Sequence, residues 1–152
     1  MTVMRALVLL FLVFSVENAA AHEKCPHGWT PFGVQCYNFF SQSVNWITAE
    51  KNCQSVDANL ASVRSSVENS FLLSLVPSDK RAWIGGHDGE IEGQWLWADG
   101  SPYVFTNWCS SQPDNAAGNE NCMEINESTK RCWNDATCTL TMGYICVKPL
   151  RS

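Results

Sequence analysis

Eight cysteines limit what this chain can fold into more than any other feature, because all of them follow an apolar leader. Arg5 supplies a positive start, Ala6 to Phe14 form a short apolar run, and Ala19-Ala20-Ala21 gives a small-residue cleavage site. That pattern reads as a secretory signal peptide over residues 1–21. A membrane anchor would need about 20 consecutive apolar residues, and this run breaks at Glu17-Asn18. The expected product is therefore a secreted, extracellular domain over residues 22–152. In that compartment an even cysteine count implies a disulfide framework. Zinc is a poor alternative: there is no Cys-x-x-Cys pair, and His22, His27 and His87 stand far from the cysteine cluster in sequence.

Patterning within 22–152 predicts α+β architecture. Gly28, Pro31 and Gly33 mark turns of a first hairpin, followed by the β-prone run Cys36–Phe40. Residues 43–56 read as a helix capped by Ser43 or Asn45, with Trp46, Ala49, Cys53 and Val56 on one face. After the short extended link Leu60–Val63, Ser65 and Glu68 form a capping box. The helix it opens carries Val67, Phe71, Leu72 and Leu75 and stops before Pro77. Strand patterns follow at Ala82–Gly86, Gln94–Trp97, Cys122–Asn126, Lys130–Trp133 and Gly143–Val147. Helices first and short strands afterwards give α+β. Trp83, Trp95 and Trp97 are expected in the core, while Trp108 and Trp133 border the irregular segment.

That segment, Gln112 to Asp135, is crowded with side-chain oxygens, and a long irregular loop in a small domain is usually functional. Hard cations take six to eight oxygens at about 2.3–2.6 Å. If the two ends of the segment meet, Gln112, Asp114, Glu120, Asn134 and Asp135 form such a set, with three formal negative charges. The net charge of −5 argues against a nucleic-acid partner and against docking on anionic lipid. His87-Asp88 has no nucleophile in a recognisable setting, and cysteines committed to bridges leave no thiol, so the chain does not read as an enzyme. Asn126-Glu127-Ser128 is a glycosylation sequon.

Taken in order, Trp83-Ile84-Gly85-Gly86, Gln112-Pro113-Asp114, Glu120-Asn121-Cys122, Trp133-Asn134-Asp135 and Tyr144-Ile145-Cys146 resemble the motifs of a C-type lectin domain. The resemblance spans all of 22–152, and the layout is most similar to a secreted single-domain fish group containing both lectins and type II antifreeze proteins. It implies bridges Cys25–Cys36, Cys53–Cys146 and Cys122–Cys138, with Cys109–Cys132 as an additional pair like that of the antifreeze group. It also implies that Gln112, Asp114, Glu120, Asn134 and Asp135 bind calcium and, through it, two neighbouring sugar hydroxyls, with a cis bond before Pro113. The Gln-Pro-Asp order resembles galactose-binding members. The stacking tryptophan that many of those carry is replaced here by Ala116, and their glycine-rich loop is missing. The implied function is a galactose-type, calcium-dependent lectin acting in defence or agglutination. Agglutination would require several sites on a non-covalent homo-oligomer. Ice binding, or a protein ligand, is the alternative.

Overall fold

The computed structural model describes residues 24–151; the signal-peptide expectation lies outside them. The longest apolar run near the end of the chain, Met142–Pro149, becomes a central strand. Six of its residues are buried, as expected for a strand covered on both faces. With β8 as that strand, the others are β1 (Thr30–Phe32), β2 (Gln35–Val44), β3 (Asn59–Leu60), β4 (Ala82–His87), β5 (Leu96–Trp97), β6 (Cys122–Glu127) and β7 (Cys132–Ala136). The sheet runs β1-β2-β8-β4-β6-β7, with β3 added to β8 and β5 to β4. All pairings are antiparallel except β4 with β8. Lys24 bridges Arg151, so the two ends of the described chain meet at the β1–β2–β8 side, and β6–β7 forms the opposite edge.

Helix α1 (Trp46–Gln54) is capped by Asn45, whose Oδ1 accepts the Thr48 N–H at 2.9 Å. Ser43 is not the cap; it belongs to β2. Trp46, Ala49 and Cys53 are buried as the spacing predicts, but Val56 is 39% exposed because the helix ends two residues before it. Buried Glu50 ties α1 to β3 by accepting the Leu60 N–H at 2.8 Å and the Asn59 amide at 3.1 Å. Helix α2 (Ser66–Leu75) starts at Ser65, which accepts the Glu68 N–H at 3.1 Å. The reciprocal half of the capping box is diverted: Glu68 accepts the Tyr37 hydroxyl at 2.9 Å and the Arg64 N–H at 3.3 Å. Val67, expected on the apolar face, is 65% exposed; Leu72 is fully buried. Asn69 on this helix accepts the Trp133 indole N–H at 2.9 Å, fastening α2 to β7.

All four implied bridges are present, and the described residues contain no free cysteine. Cys53–Cys146 joins α1 to β8 across 93 residues, a closure that in the chain-entropy account stabilises by about 4–5 kcal/mol. The expected strand Lys130–Trp133 is displaced to Cys132–Ala136, because Ser128 and Arg131 adopt positive φ in the turn before it. Trp83 and Trp133 have no exposed surface, and Trp95 and Trp97 are buried. Trp108 packs on this core at 4.8 Å from Trp95 and 5.8 Å from Trp133, so neither loop-border tryptophan is a free platform.

The first of the paired glycines of β4 is explained by proximity to backbone. A Cβ on Gly85 would stand 2.6 Å from the Leu60 carbonyl oxygen and 3.1 Å from that of Ala61. Both are backbone atoms with little room to move. Gly85→Ala should therefore lower stability by about 1–3 kcal/mol, read as a reduced urea midpoint at unchanged m-value. An unshifted midpoint would mean that β3 and β4 are not in this close contact.

Candidate metal centre

Chain path and side chains together build the site. The stretch between β5 and β6 has one short 3-10 turn, Ala116–Gly118. Its entrance is clamped to β7 by Cys109–Cys132 and by two backbone hydrogen bonds, Cys109 N–H to Trp133 O at 2.8 Å and Trp133 N–H to Asn107 O at 2.9 Å. Its exit is held by Cys122–Cys138. Between the clamps, Ser111, Asn115 and Ala117 take positive φ and the Gln112–Pro113 bond is cis.

Asp135 organises the interior of this loop. It is fully buried on β7. Its Oδ1 accepts the Asp114 N–H at 3.1 Å and its Oδ2 accepts the Asn115 N–H at 2.8 Å. Asn115 Oδ1 in turn accepts the Glu120 N–H at 3.0 Å, and the Ala116 N–H is shared between Asp114 Oδ1 at 3.2 Å and Glu120 Oε1 at 3.0 Å. These bonds curl the loop so that carboxylate oxygens of Asp114, Glu120 and Asp135 lie within 4.8 Å of one another. Asp114 is exposed, Glu120 half-buried and Asp135 buried, so the cluster forms a shallow rim with a closed floor.

Three carboxylates this close repel one another. The Glu120 carboxyl is held above the usual range by partial burial and by the charges of Asp135 and Asp114, against the lowering effect of the Ala116 N–H. Gln112 contributes an amide whose Nε2 donates to Asp114 Oδ2 at 3.4 Å, while its Oε1 is buried without a hydrogen-bond partner. An orphaned buried acceptor is costly. A hard cation would satisfy that oxygen and neutralise the repulsion, and an all-oxygen donor set suits calcium rather than a thiolate- or imidazole-preferring metal. The residues present thus fit a calcium ion.

Asn134, the fifth sequence candidate, is half-buried, and its Nδ2 donates to Glu124 Oε1 at 3.1 Å. Glu124 was not singled out by the sequence. It is fully buried on β6, faces Asn134 in the β6–β7 register, and lies 3.3 Å from Arg81. Burial pushes its carboxyl up to about 7, with Arg81 and the Asn134 hydrogen bond pulling down and Glu127 pushing up. The local pattern carried no signal for it, because its opposition to Asn134 follows from the β6–β7 register. Glu92, which feels the charge of Asp135, was also missed, together with its own neighbour Asp88. Asp88 is buried, accepts the Gly93 N–H at 2.8 Å through Oδ2, and leaves Oδ1 without a partner. Glu92 is raised by desolvation and then by the charges of Asp88 and Asp135. His87 and Asp88 diverge: His87 packs 5.5 Å from Trp46.

The sequon expectation at Asn126 does not fit the folded chain. Asn126 is only 5% exposed. Its Nδ2 donates to the carbonyls of Pro77, Ser78 and Lys80, and its Oδ1 accepts Arg131 Nε at 2.7 Å. Arg131 also caps α2 through the Leu73 and Val76 carbonyls at 2.8 and 3.0 Å. A glycan would have to replace hydrogen bonds that hold the end of α2 to the β6–β7 turn.

The fold and this oxygen-lined loop define a C-type lectin-like domain, and comparison with known proteins agrees. Residues 42–148 match the family model described as Lectin C-type domain. The chain belongs to the C-type lectin family. It is 36% identical over 152 residues to the galactose-specific lectin nattectin of Thalassophryne nattereri, covering 94% of this chain and 95% of the relative. It is 40% identical over 130 residues to ladderlectin of Oncorhynchus mykiss, covering 83% and 67%. The structure of herring type II antifreeze protein superposes with a TM-score of 0.80 at 35% identity, covering 84% of this chain and all of that one. Among the described residues no helix is long and apolar enough to cross a membrane.

Two outcomes follow from the geometry. Expressed through a eukaryotic secretory pathway, the folded chain should carry no N-glycan at Asn126; a mass change on enzymatic deglycosylation would show otherwise. The second concerns pH. Folded Glu124 keeps its proton to about pH 7, whereas an unfolded glutamate releases it near pH 4.3, roughly the free-peptide value. The native state therefore binds more protons across that window, and this residue's contribution to stability falls as pH rises through it. For metal-free protein, Glu124→Gln should match the native Tm at low pH and exceed it at pH 8. A difference constant with pH would contradict the raised value.

Proposed function

We propose that this chain is a secreted, non-enzymatic, calcium-dependent carbohydrate-binding protein with galactose-type specificity. The observation that carries the reading is the convergence of the Asp114, Glu120 and Asp135 carboxylates beside the orphaned Gln112 carbonyl oxygen. When bound, calcium supplies open coordination positions for two neighbouring sugar hydroxyls. Gln112, Asp114, Glu120, Asn134 and Asp135 would hold it. Around those positions the side chains divide by chemistry. The Asp114 and Glu120 oxygens accept from sugar hydroxyls, and the Gln112 amide donates to them. Asp135 has both oxygens committed to the loop backbone, so it braces the site as well as lining its floor. Placing the amide at 112 and the acid at 114 sets which side of the diol donates and which accepts, and similarity to a relative named as galactose-specific supports the galactose reading of the chain as a whole. Because Ala116 offers no ring to the apolar face of the sugar, a single site is weak, and agglutination of cell or microbial surfaces in defence requires several copies presented together.

The test combines ion and sugar. Calorimetric titration should give calcium uptake with Kd in the range of about 10⁻⁴–10⁻³ M seen for extracellular modules. The protein should be retained on galactose resin and released by chelator. Glu120→Gln and Asp135→Ala should each weaken uptake by at least about tenfold, more than 1.4 kcal/mol. Retention indifferent to chelator, or no uptake at millimolar calcium, overturns the proposal.

A second reading is ice binding, favoured by the match to the herring antifreeze structure together with the Cys109–Cys132 bridge. Thermal hysteresis of concentrated protein separates the two; its absence eliminates ice binding.

A further inference from the structure

Glu124 is an expensive residue to keep. It has no exposed surface and is flanked on β6 by the fully buried Met123 and Ile125. Its Oε1 accepts from Asn134 Nδ2 at 3.1 Å and lies 3.3 Å from Arg81 Nη1. Its Oε2 is buried with no hydrogen-bond partner among the described residues. Arg81 is itself 46% exposed and also pairs with Glu127 at 2.9 Å, so the ion pair does not need Glu124. A buried carboxylate with one idle oxygen and a shared cation is commonly no more stabilising than an apolar side chain of similar volume. Stability alone gives a weak account of it.

Its geometry gives a better one. An asparagine amide has one carbonyl oxygen and two N–H donors, and a free one can turn over. In the β6–β7 register Glu124 stands directly across from Asn134 and takes one N–H. That single bond fixes the plane of the amide and identifies which atom is nitrogen. We infer that Glu124, backed by Arg81, is a positioning residue of the ion and sugar site: it holds the Asn134 amide so that its carbonyl oxygen and its second N–H both stay free for ligand. Partners standing behind a metal ligand act in this way in general, and losing one costs roughly 10- to 100-fold in metal affinity. The inference rests on the calcium-site reading proposed above.

The experiment is calcium titration of the full domain at pH 7.5, with thermal unfolding of the metal-free forms. Glu124→Leu should bind calcium about 10- to 100-fold more weakly, while its metal-free Tm stays at or above the native value. Glu124→Gln retains an oxygen acceptor at the same reach and should restore near-native affinity. A purely structural role predicts the opposite pattern for Leu, with Tm and affinity falling together. Native-like affinity in Glu124→Leu, or equal losses in Leu and Gln, overturns the inference while leaving the ion site standing. No uptake by the native chain overturns the ion site itself. The native protein offers a test that needs no substitution. One Asn134 side-chain amide proton should exchange slowly with solvent in both metal-free and calcium-loaded protein, and rapid exchange of both in the loaded form counts against Glu124.

Discussion

The buried carboxylate of Asp135 is the contact on which the loop depends. A charged group with no exposed surface must be fully bonded or matched by an opposite charge. Here each oxygen takes a backbone N–H from the loop, one from Asp114 and one from Asn115. Those bonds set where the following residues can go, and they bring Glu120 and the side chain of Asp114 back toward β7. Asp135 can serve because β7 is itself tied to the core and to α2. Trp133, two residues earlier, is buried against Trp97, Phe105 and Trp108 and is bonded to α2 through Asn69. A charged cluster at the surface thus rests on an aromatic floor anchored to a helix.

The disulfides work toward the same end at different scales. Cys53–Cys146 ties the first helix to the central strand and closes most of the domain. Cys109–Cys132 and Cys122–Cys138 act locally, at the entrance and exit of the loop. Between them the backbone adopts conformations that isolated L-residues seldom hold, with positive φ at Ser111, Asn115 and Ala117. Each of these carries a cost of about 1–3 kcal/mol where strained, which the surrounding clamps and hydrogen bonds must offset.

How much of this could be read from the residues alone differs from element to element. The two helices were legible because their starts are chemically marked, by Asn45 and Ser65, and the second ends ahead of Pro77. Their exact faces were less so. Val56 and Val67 fit the periodic pattern, yet one lies beyond the end of α1 and the other is exposed in the first turn of α2, where Glu68 and Asn69 take the inward positions. The gathering of Asp114, Glu120 and Asp135 was legible through their oxygen chemistry. Glu124 and Asn126 were not. Alternation places Glu124 in a strand but does not say that a charge there faces an amide across the sheet. A sequon looks the same whether its asparagine points to water or, as here, into three carbonyls and an arginine. Such pairings arise from long-range register, which local pattern does not encode.

The bridge between Lys24 and Arg151 lies on the side of the sheet away from β6 and β7. Whatever is joined to either end of the domain, whether a surface, a label or a fused module, therefore attaches behind the oxygen-lined rim. Copies tethered through that side would hold their rims outward like the tips of a bouquet, each unobstructed by its neighbours' anchors.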